Sequence, residues 1–178
     1  MALELNGTTG VSAVQAGAVE SGDLPAGSVI QVVSTTKTDT FSVLVSGSGN
    51  ADVTGLAASI SPISSNSRIL VLTTLVGHTS VEGGIHFNVK RNGSFIGNPS
   101  GSSSFVPLLA GNLGVSNPSI QGGSTASIVD EPSTTSSLNY QVSIVNIAPS
   151  ARTHYVNRSE DGTRNLSVSS ITVMEIAG

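Results

Sequence analysis

The C-terminal segment reads Tyr155-Val-Asn-Arg-Ser159, then Glu160-Asp-Gly-Thr-Arg-Asn165, then Leu166-Ser-Val-Ser-Ser-Ile-Thr-Val-Met-Glu-Ile-Ala-Gly178. It begins with a β-branched and aromatic run, and the Asp-Gly pair that follows favours chain reversal. The last run alternates apolar and polar side chains, as a strand with one buried face requires. The segment therefore predicts a β-hairpin that closes the fold.

Upstream of this segment, strand-like runs recur at short spacing. Residues 68–77 form the most hydrophobic run, which predicts a central strand covered on both faces. Asn92-Gly93 lies between two further runs and is typical of a two-residue hairpin turn. No segment has a helical period over ten or more residues. We therefore predict an all-β fold of about ten strands over residues 28–178, a β-sandwich of jelly-roll type.

The composition restricts the classes of function that fit this chain. Charged residues make up 10% of the 178 residues, against roughly 25% in a typical soluble domain, and 31 Ser and 16 Thr take their place. The net charge is −4 and the basic residues are scattered, so we expect no nucleic-acid partner. There is no apolar run long enough for membrane insertion. Without cysteine the fold has no disulfides, and oligomerisation is then the simplest additional source of stability.

Residues 1–27 differ from the remainder of the chain. They combine a short strand-like run, Leu3 to Asn6, with a weakly apolar stretch and a breaker-rich linker. Such an arm lacks the apolar content to fold alone, so we expect it to dock elsewhere. The docking residues would be Leu3, Leu5, Asn6, Val11 and Val14. The equally weighted alternative is an edge strand of the chain's own domain.

No set of residues has the spacing of a catalytic, cofactor or metal site. His78, His86 and His154 are far apart in sequence, which favours surface positions over metal ligation. The acidic pairs Asp130-Glu131 and Glu160-Asp161 flank Pro132 and Gly162, where solvated turn carboxylates are ordinary. We therefore predict a protein that is not an enzyme and that binds no metal or cofactor.

Glu175 is the exception among the charged residues. It lies on the same face of the last predicted strand as Ile171 and Val173, and a carboxylate in such a position is costly without a partner. We expect it to pair with Arg68, Arg152 or Arg158, within one subunit or across the axis of an oligomer. The alternative is an exposed terminus that needs no partner.

Several motifs share their order and spacing with a known domain type. They are Gly27-Ser-Val-Ile-Gln-Val-Val33, Thr36-Lys-Thr-Asp-Thr-Phe41, Asp52-Val-Thr-Gly-Leu56, Lys90-Arg-Asn-Gly93 and Asp130-Glu-Pro132. Together they resemble small β-domains of bacteriophage virion proteins, especially tail-fibre-like proteins of phages of aquatic bacteria. Those domains often end in Tyr-x-Asn-Arg-Ser followed by Ser-Thr-Ile-Thr-Val-Met-Glu-Ile, which residues 155–176 resemble.

The resemblance implies a non-enzymatic virion protein that is assembled in the cytoplasm of a host bacterium. It implies a homotrimeric attachment fibre or spike, whose knob at residues 28–178 contacts a host surface glycan or protein. The arm at residues 1–27 would dock to other proteins of the tail or capsid. Since the sequence contains only a short arm and no shaft, the alternative is a capsid decoration, cement or head-fibre protein.

Overall fold

The computed structural model describes residue 20 and residues 23–80, 85–98, 109–111, 121–161 and 166–178. Within these ranges the chain forms eleven strands, all paired antiparallel. They are β1 (Val29–Lys37), β2 (Phe41–Val45), β3 (Asn50–Ile60), β4 (Arg68–Thr79), β5 (Ile85–Arg91), β6 (Ser94–Phe95), β7 (Leu109–Gly111), β8 (Gly122–Asp130), β9 (Leu138–Val145), β10 (Arg152–Val156) and β11 (Ser169–Ile176). The predicted all-β class is confirmed. None of the described residues belongs to a helix that is long and apolar enough to cross a membrane.

The pairing of the strands is nested. β1 pairs with β11, β2 with β10, β3 with β9, β4 with β8, and β5 with β7, while β6 returns on β5. The first sheet contains β1, β11, β4, β10, β2 and β8, and the second contains β3, β9, β5, β6 and β7. A long antiparallel ribbon rolled into two facing sheets has the jelly-roll topology, so the predicted β-sandwich of this type is confirmed.

The turn between β5 and β6 is the one that Asn92-Gly93 predicts. Both residues have positive φ, 49° at Asn92 and 85° at Gly93, as a type I′ turn requires. Asn92 also receives a hydrogen bond at its side-chain oxygen from the Asn139 amide at 2.8 Å. The turn is therefore attached to the neighbouring strand β9 as well.

The core lies between the two sheets and follows the two-residue period of the strands. On β4 the buried side includes Ile69, Val71 and Leu75, each at most 1% exposed. Leu70 and Leu72 point to the other side and are only half-buried. β4 is central, as predicted, but the expectation that both of its faces are covered is wrong for Leu70 and Leu72.

The predicted closing hairpin is wrong, because β10 and β11 do not pair with each other. β10 lies along residues Gly77 to Thr79 of β4, and β11 lies along Arg68 to Thr74 of the same strand. Both are antiparallel to β4, so they run in one direction and lie end to end. We call the segment that interrupts this otherwise continuous strand the excursion, and the structure describes residues 157–161 and 166–168 of it. Gly162 of the predicted Asp-Gly turn lies outside the described residues.

Asn157 closes the base of the excursion. Its amide donates to the Val76 carbonyl at 2.9 Å, and the Val76 amide donates to Ser169 Oγ at 3.0 Å. Ser169 Oγ donates in turn to Asn157 Oδ1 at 2.7 Å, so the two residues replace the missing ladder bonds. Asn157 Nδ2 donates to the carbonyls of Lys37 and Asp39 at 2.8 and 3.0 Å, in the gap between β1 and β2. We call this group of five residues the Asn157 junction.

The backbone at the junction also selects asparagine. Asn157 is fully buried and has a φ of 58°, in the left-handed region that Asn tolerates better than other residues with a side chain. One residue therefore satisfies backbone carbonyls of β1, of the gap before β2 and of β4, and also holds the Ser169 side chain of β11. This accounts physically for the asparagine in the Tyr-x-Asn-Arg-Ser motif.

We predict that Asn157→Asp lowers the free energy of unfolding by about 3 kcal/mol or more. The substitution keeps the side-chain shape, the tolerance of positive φ and the acceptor for Ser169. It removes the side-chain amide donor and places a carboxylate against the buried Lys37 carbonyl and the part-buried Asp39 carbonyl. Urea unfolding followed by circular dichroism measures the change. Ser169→Ala, which removes one neutral hydroxyl, is the control and should cost about 1–2 kcal/mol. Wild-type stability of Asn157→Asp would show that the junction is dispensable.

Candidate interaction surface

The three histidines do not form a site together. His78 lies at the end of β4, 3.6 Å from a carboxylate oxygen of Glu160 and stacked near Tyr155. His86 and His154 are 7% and 2% exposed, so the expectation of surface positions is wrong for both. Among the described residues, no group of three or more histidine or acidic side chains could hold a metal ion.

His154 is held neutral by its surroundings. Neither ring nitrogen has a hydrogen-bond partner in the part of the chain that the structure describes. Burial, with smaller effects from His86 and Arg152, lowers the pKa of His154 to about 4. A neutral imidazole buried to this extent behaves as a core side chain, and protonating it costs stability.

In the first acidic pair, Asp130 joins the two sheets. Asp130 ends β8, and Arg91 Nη1 of β5 donates to both of its carboxylate oxygens at 2.8 Å. Tyr140 of β9 donates its hydroxyl to the same carboxylate at 2.7 Å. Burial and the adjacent carboxylate raise the pKa of Tyr140 well above its ordinary value. The carboxylate is thus committed to a structural contact between the sheets.

The second acidic pair lies in the excursion between β10 and β11. Asp161 accepts a hydrogen bond from Ser159 Oγ at 2.5 Å, and Glu160 faces His78. The Glu160 carbonyl accepts from an Arg158 guanidinium nitrogen at 3.1 Å. These contacts fix the start of the excursion, as expected of turn carboxylates.

Glu175 is fully buried and its carboxylate is bound by neutral donors. Gln31 Nε2 donates at 2.5 Å and the Ile63 amide at 2.7 Å, while the Ser64 amide lies at 3.4 Å. Burial by itself would raise the pKa of Glu175. The nearby Ser67 hydroxyl, Gln31 and the two backbone amides favour the carboxylate more strongly, so the pKa of Glu175 is lowered. Of these groups, the Ser67 hydroxyl lies outside strict hydrogen-bonding geometry. The position on the face of Ile171 and Val173 is as expected. In place of the expected arginine, the donors are the Gln31 side chain of β1 and backbone amides of the loop after β3.

The three candidate arginines lie elsewhere. Arg68 is exposed opposite Ile176 in the β4–β11 ladder, and Arg152 is half-buried on β10. Arg158 lies over the Tyr155 ring, 4.9 Å from its centroid. The predicted docking residues Leu3, Leu5, Asn6, Val11 and Val14 lie outside the described residues.

Two more of the shared motifs also prove to be structural. In Thr36–Phe41, the ammonium of the buried Lys37 binds both oxygens of Asp39 at 2.9 and 2.8 Å. In Asp52–Leu56, β3 bulges against β9 and Gly55 adopts a φ of 78°. Gln141 Nε2 satisfies the bulge by donating to the carbonyls of Val53 and Leu56 at 2.8 and 3.0 Å.

The outer side of the first sheet has a different character. Four strands, β1, β11, β4 and β8, present a surface on which successive rows carry no charged side chain. We call it the uncharged face, and define it as Val32, Ser34, Thr36, Leu70, Leu72, Thr74, Val76, Gly123, Thr125, Ser127, Val129, Ser170, Thr172 and Met174.

The register aligns like side chains across the uncharged face. One row is wholly apolar and runs Val32, Met174, Leu70, Val129, with the two valines at its ends 54% and 53% exposed. The adjacent rows consist largely of hydroxyls that bond to one another. Ser34 and Thr172 are 2.8 Å apart through their hydroxyl oxygens, and Thr74 and Thr125 are 3.3 Å apart.

The outer side of the second sheet is polar in the usual way. Lys90 Nζ binds Asp52 at 2.6 Å and the Asn50 side-chain oxygen at 2.8 Å. Asn139 adds an exposed amide on β9. The two outer surfaces of one sandwich therefore differ: one carries an ion pair and amides, and the other carries hydroxyls and aliphatic groups. Depletion of charge is typical of the buried centre of protein interfaces.

The uncharged face was not identified from the sequence. Each strand shows an ordinary alternation, and the face arises only when the nested pairing brings β1, β11, β4 and β8 side by side. The sequence signal was an absence of charge, since the residues of the face are Ser, Thr, Val, Leu, Met and Gly, and the outward Arg68 and His78 lie only at the two ends of β4. A face of this composition has no group that could activate water or transfer a proton, but it can bury area against another protein surface.

Comparisons with known proteins add the fold neighbours of this chain. No family model and no curated protein matches the sequence. Solved structures of infectious bursal disease virus are similar in fold. The VP2 subviral particle and the Gx strain each match at 16% identity and a TM-score of 0.40, over 83% of this chain and 37% of theirs. The T=1 particles derived from the same virus match at 14% identity and a TM-score of 0.39. This chain thus spans little more than a third of the viral proteins it matches.

We predict that stability falls by up to about 3 kcal/mol between pH 7 and pH 4 because of His154. Its pKa is depressed in the folded state, so the unfolded chain binds the proton more readily below about 6.5, and folding then opposes protonation. Urea unfolding at a series of pH values measures the effect. In His154→Phe this part of the pH dependence should vanish, leaving the acid loss from Glu175 and Asp39 below about pH 4.5. An unchanged pH profile in the variant would contradict the assignment.

Proposed function

We propose that this chain is a non-enzymatic structural protein of a bacteriophage virion. It forms a homotrimeric, short tail-fibre or spike-like attachment protein, with the arm at residues 1–27 docked to the particle and the sandwich facing the host surface. The observation that carries the proposal is the uncharged face, which suits a subunit of an assembly better than an isolated soluble domain.

Two further observations support the proposal. The motifs that resemble the phage virion domains hold positions at which a specific side chain is needed for the fold, such as Asn157, Asp130 and Gly55. A resemblance concentrated at such positions is what a shared domain type would leave in a sequence. In addition, the acidic pairs that could suggest hydrolysis are engaged in structural contacts, Asp130 with Arg91 and Asp161 with Ser159.

The structure suggests where to cut the arm for a test. Gly27 donates to the Ala177 carbonyl at 2.8 Å and Ala177 donates back to Ser28 at 2.8 Å, so the sandwich is already paired at residue 27. Leu24 lies on a small cavity together with Ile30 and Ile63. Removal of residues 1–22 therefore spares every one of these contacts.

We predict that deletion of residues 1–22 leaves a folded oligomer that no longer associates with virions. The arm would dock by adding a strand, through backbone bonds of Leu3 to Asn6, to a sheet edge of another virion protein. Co-sedimentation with purified particles and thermal melting are measured on the same protein. Full-length Leu3→Ser/Leu5→Ser is the matched control and should also lose binding.

The opposite result is equally defined. If the arm is an edge strand of its own domain, the truncation should lower the melting temperature and cause aggregation while virion binding persists. That outcome would refute the docking arm. Absence of the full-length chain from purified particles would refute the virion role itself.

A further inference from the structure

The chemistry of the uncharged face limits which kind of surface could bind to it. A charged partner surface would lose its hydration against Val32, Leu70 and Val129 without gaining an ion pair, which is costly. Serine and threonine hydroxyls are both donors and acceptors, so the hydroxyl rows of one copy can bond to those of other copies without any change of chemistry. The best match to an uncharged face with hydroxyl rows is therefore the same face of other copies, and in a threefold assembly the three faces would meet around the common axis.

The size of the face is sufficient for a stable contact. Four strands about 4.8 Å apart, over the residues from Leu70 to Val76 at about 3.3 Å each, give a projection of roughly 400 Å². The accessible surface of side chains is larger than their projection. With Val29 and Val168, at the ends of β1 and β11 and each more than half exposed, the total approaches the ~800 Å² that one partner contributes to a standard interface.

The position of the remaining charges fits the same interpretation. Arg68 and His78 lie at opposite ends of the outer side of β4, with Leu70, Leu72, Thr74 and Val76 between them. Charge at the boundary of an uncharged centre is the usual arrangement of an interface core and its rim. On the opposite side of the sandwich, the Lys90–Asp52 pair lies in the middle of the sheet, as on a surface that stays in water.

We propose that the uncharged face is the surface through which copies of this chain assemble, with the apolar row of Val32, Met174, Leu70 and Val129 at its centre. The number of copies, three, rests on the proposed function. The location of the contact on the uncharged face does not depend on that number. The outer side of the second sheet is left free in the assembly.

The test places a single arginine on each of the two outer surfaces of the full-length chain. Ser127→Arg and Val32→Arg lie at opposite edges of the uncharged face, on β8 and β1, and Ser59→Arg lies on β3 of the second sheet. Ser127, Val32 and Ser59 are exposed in the chain, so folding tolerates all three substitutions. Light scattering gives the mass, and circular dichroism with thermal melting confirms that each variant is folded.

We expect the wild-type chain to have three times its 17.8 kDa mass. Ser127→Arg and Val32→Arg should weaken association at least tenfold and give folded monomers at micromolar concentration, while Ser59→Arg stays assembled. A monomeric wild type, or face variants that stay assembled, would overturn the inference. So would dissociation of Ser59→Arg to the same extent.

The outcomes separate this inference from the proposed function. A wild-type dimer that Ser127→Arg dissociates supports the face and contradicts the trimer. An oligomer that dissociates as expected, from a chain that purified virions lack, supports the face and refutes the virion role. Assembly that survives both face variants in a virion-bound protein refutes the face alone.

Discussion

The nested pairing of this fold depends on the contact at Asn157, where two long strands are interrupted opposite each other. β1 continues into β2, and β10 continues into β11, each after a short interruption. The ladder of backbone hydrogen bonds between these two long strands stops at the pair Lys37–Ser169 and resumes at Phe41–Val156. Asn157 supplies the missing donors and acceptor from one side chain and one amide. Buried backbone groups without partners are costly, so the outer ribbon can close over the core only where this residue satisfies them.

Closure of the ribbon also creates the two unlike outer surfaces. Once β11 lies between β1 and β4, the outward residues of β1, β11, β4 and β8 fall into common rows, and the rows between Arg68 and His78 contain no charge. β3, β9 and β5 are brought together on the other sheet, where Lys90 and Asp52 pair in the open. The same nested strand pairing thus produces one outer surface suited to assembly and one suited to contact with water.

Local signals predicted the parts of this structure that depend on neighbours in sequence. The alternating runs, the Asn92-Gly93 turn and the inward position of Glu175 follow from φ preferences and the two-residue period. The prediction of a closing hairpin failed although Asp161-Gly162 is an ordinary signal for chain reversal. The direction of β10 and β11 is set by their pairing with β4, which is about ninety residues away in sequence. The prediction of the partners of Glu175 failed for a similar reason, because Gln31 and the loop near Ile63 reach the carboxylate only after the sheets form.

Because the chain contains no cysteine, a single introduced thiol can report whether one outer surface is buried between copies while the other is not. Ser127→Cys and Ser59→Cys each introduce a single thiol at an exposed strand position, one on each outer surface. In the assembled protein, the rate of thiol alkylation should be at least tenfold lower for Ser127→Cys than for Ser59→Cys. Dilution to monomers should make the two rates similar. Equal rates in the assembled state would mean that the uncharged face is not buried between copies.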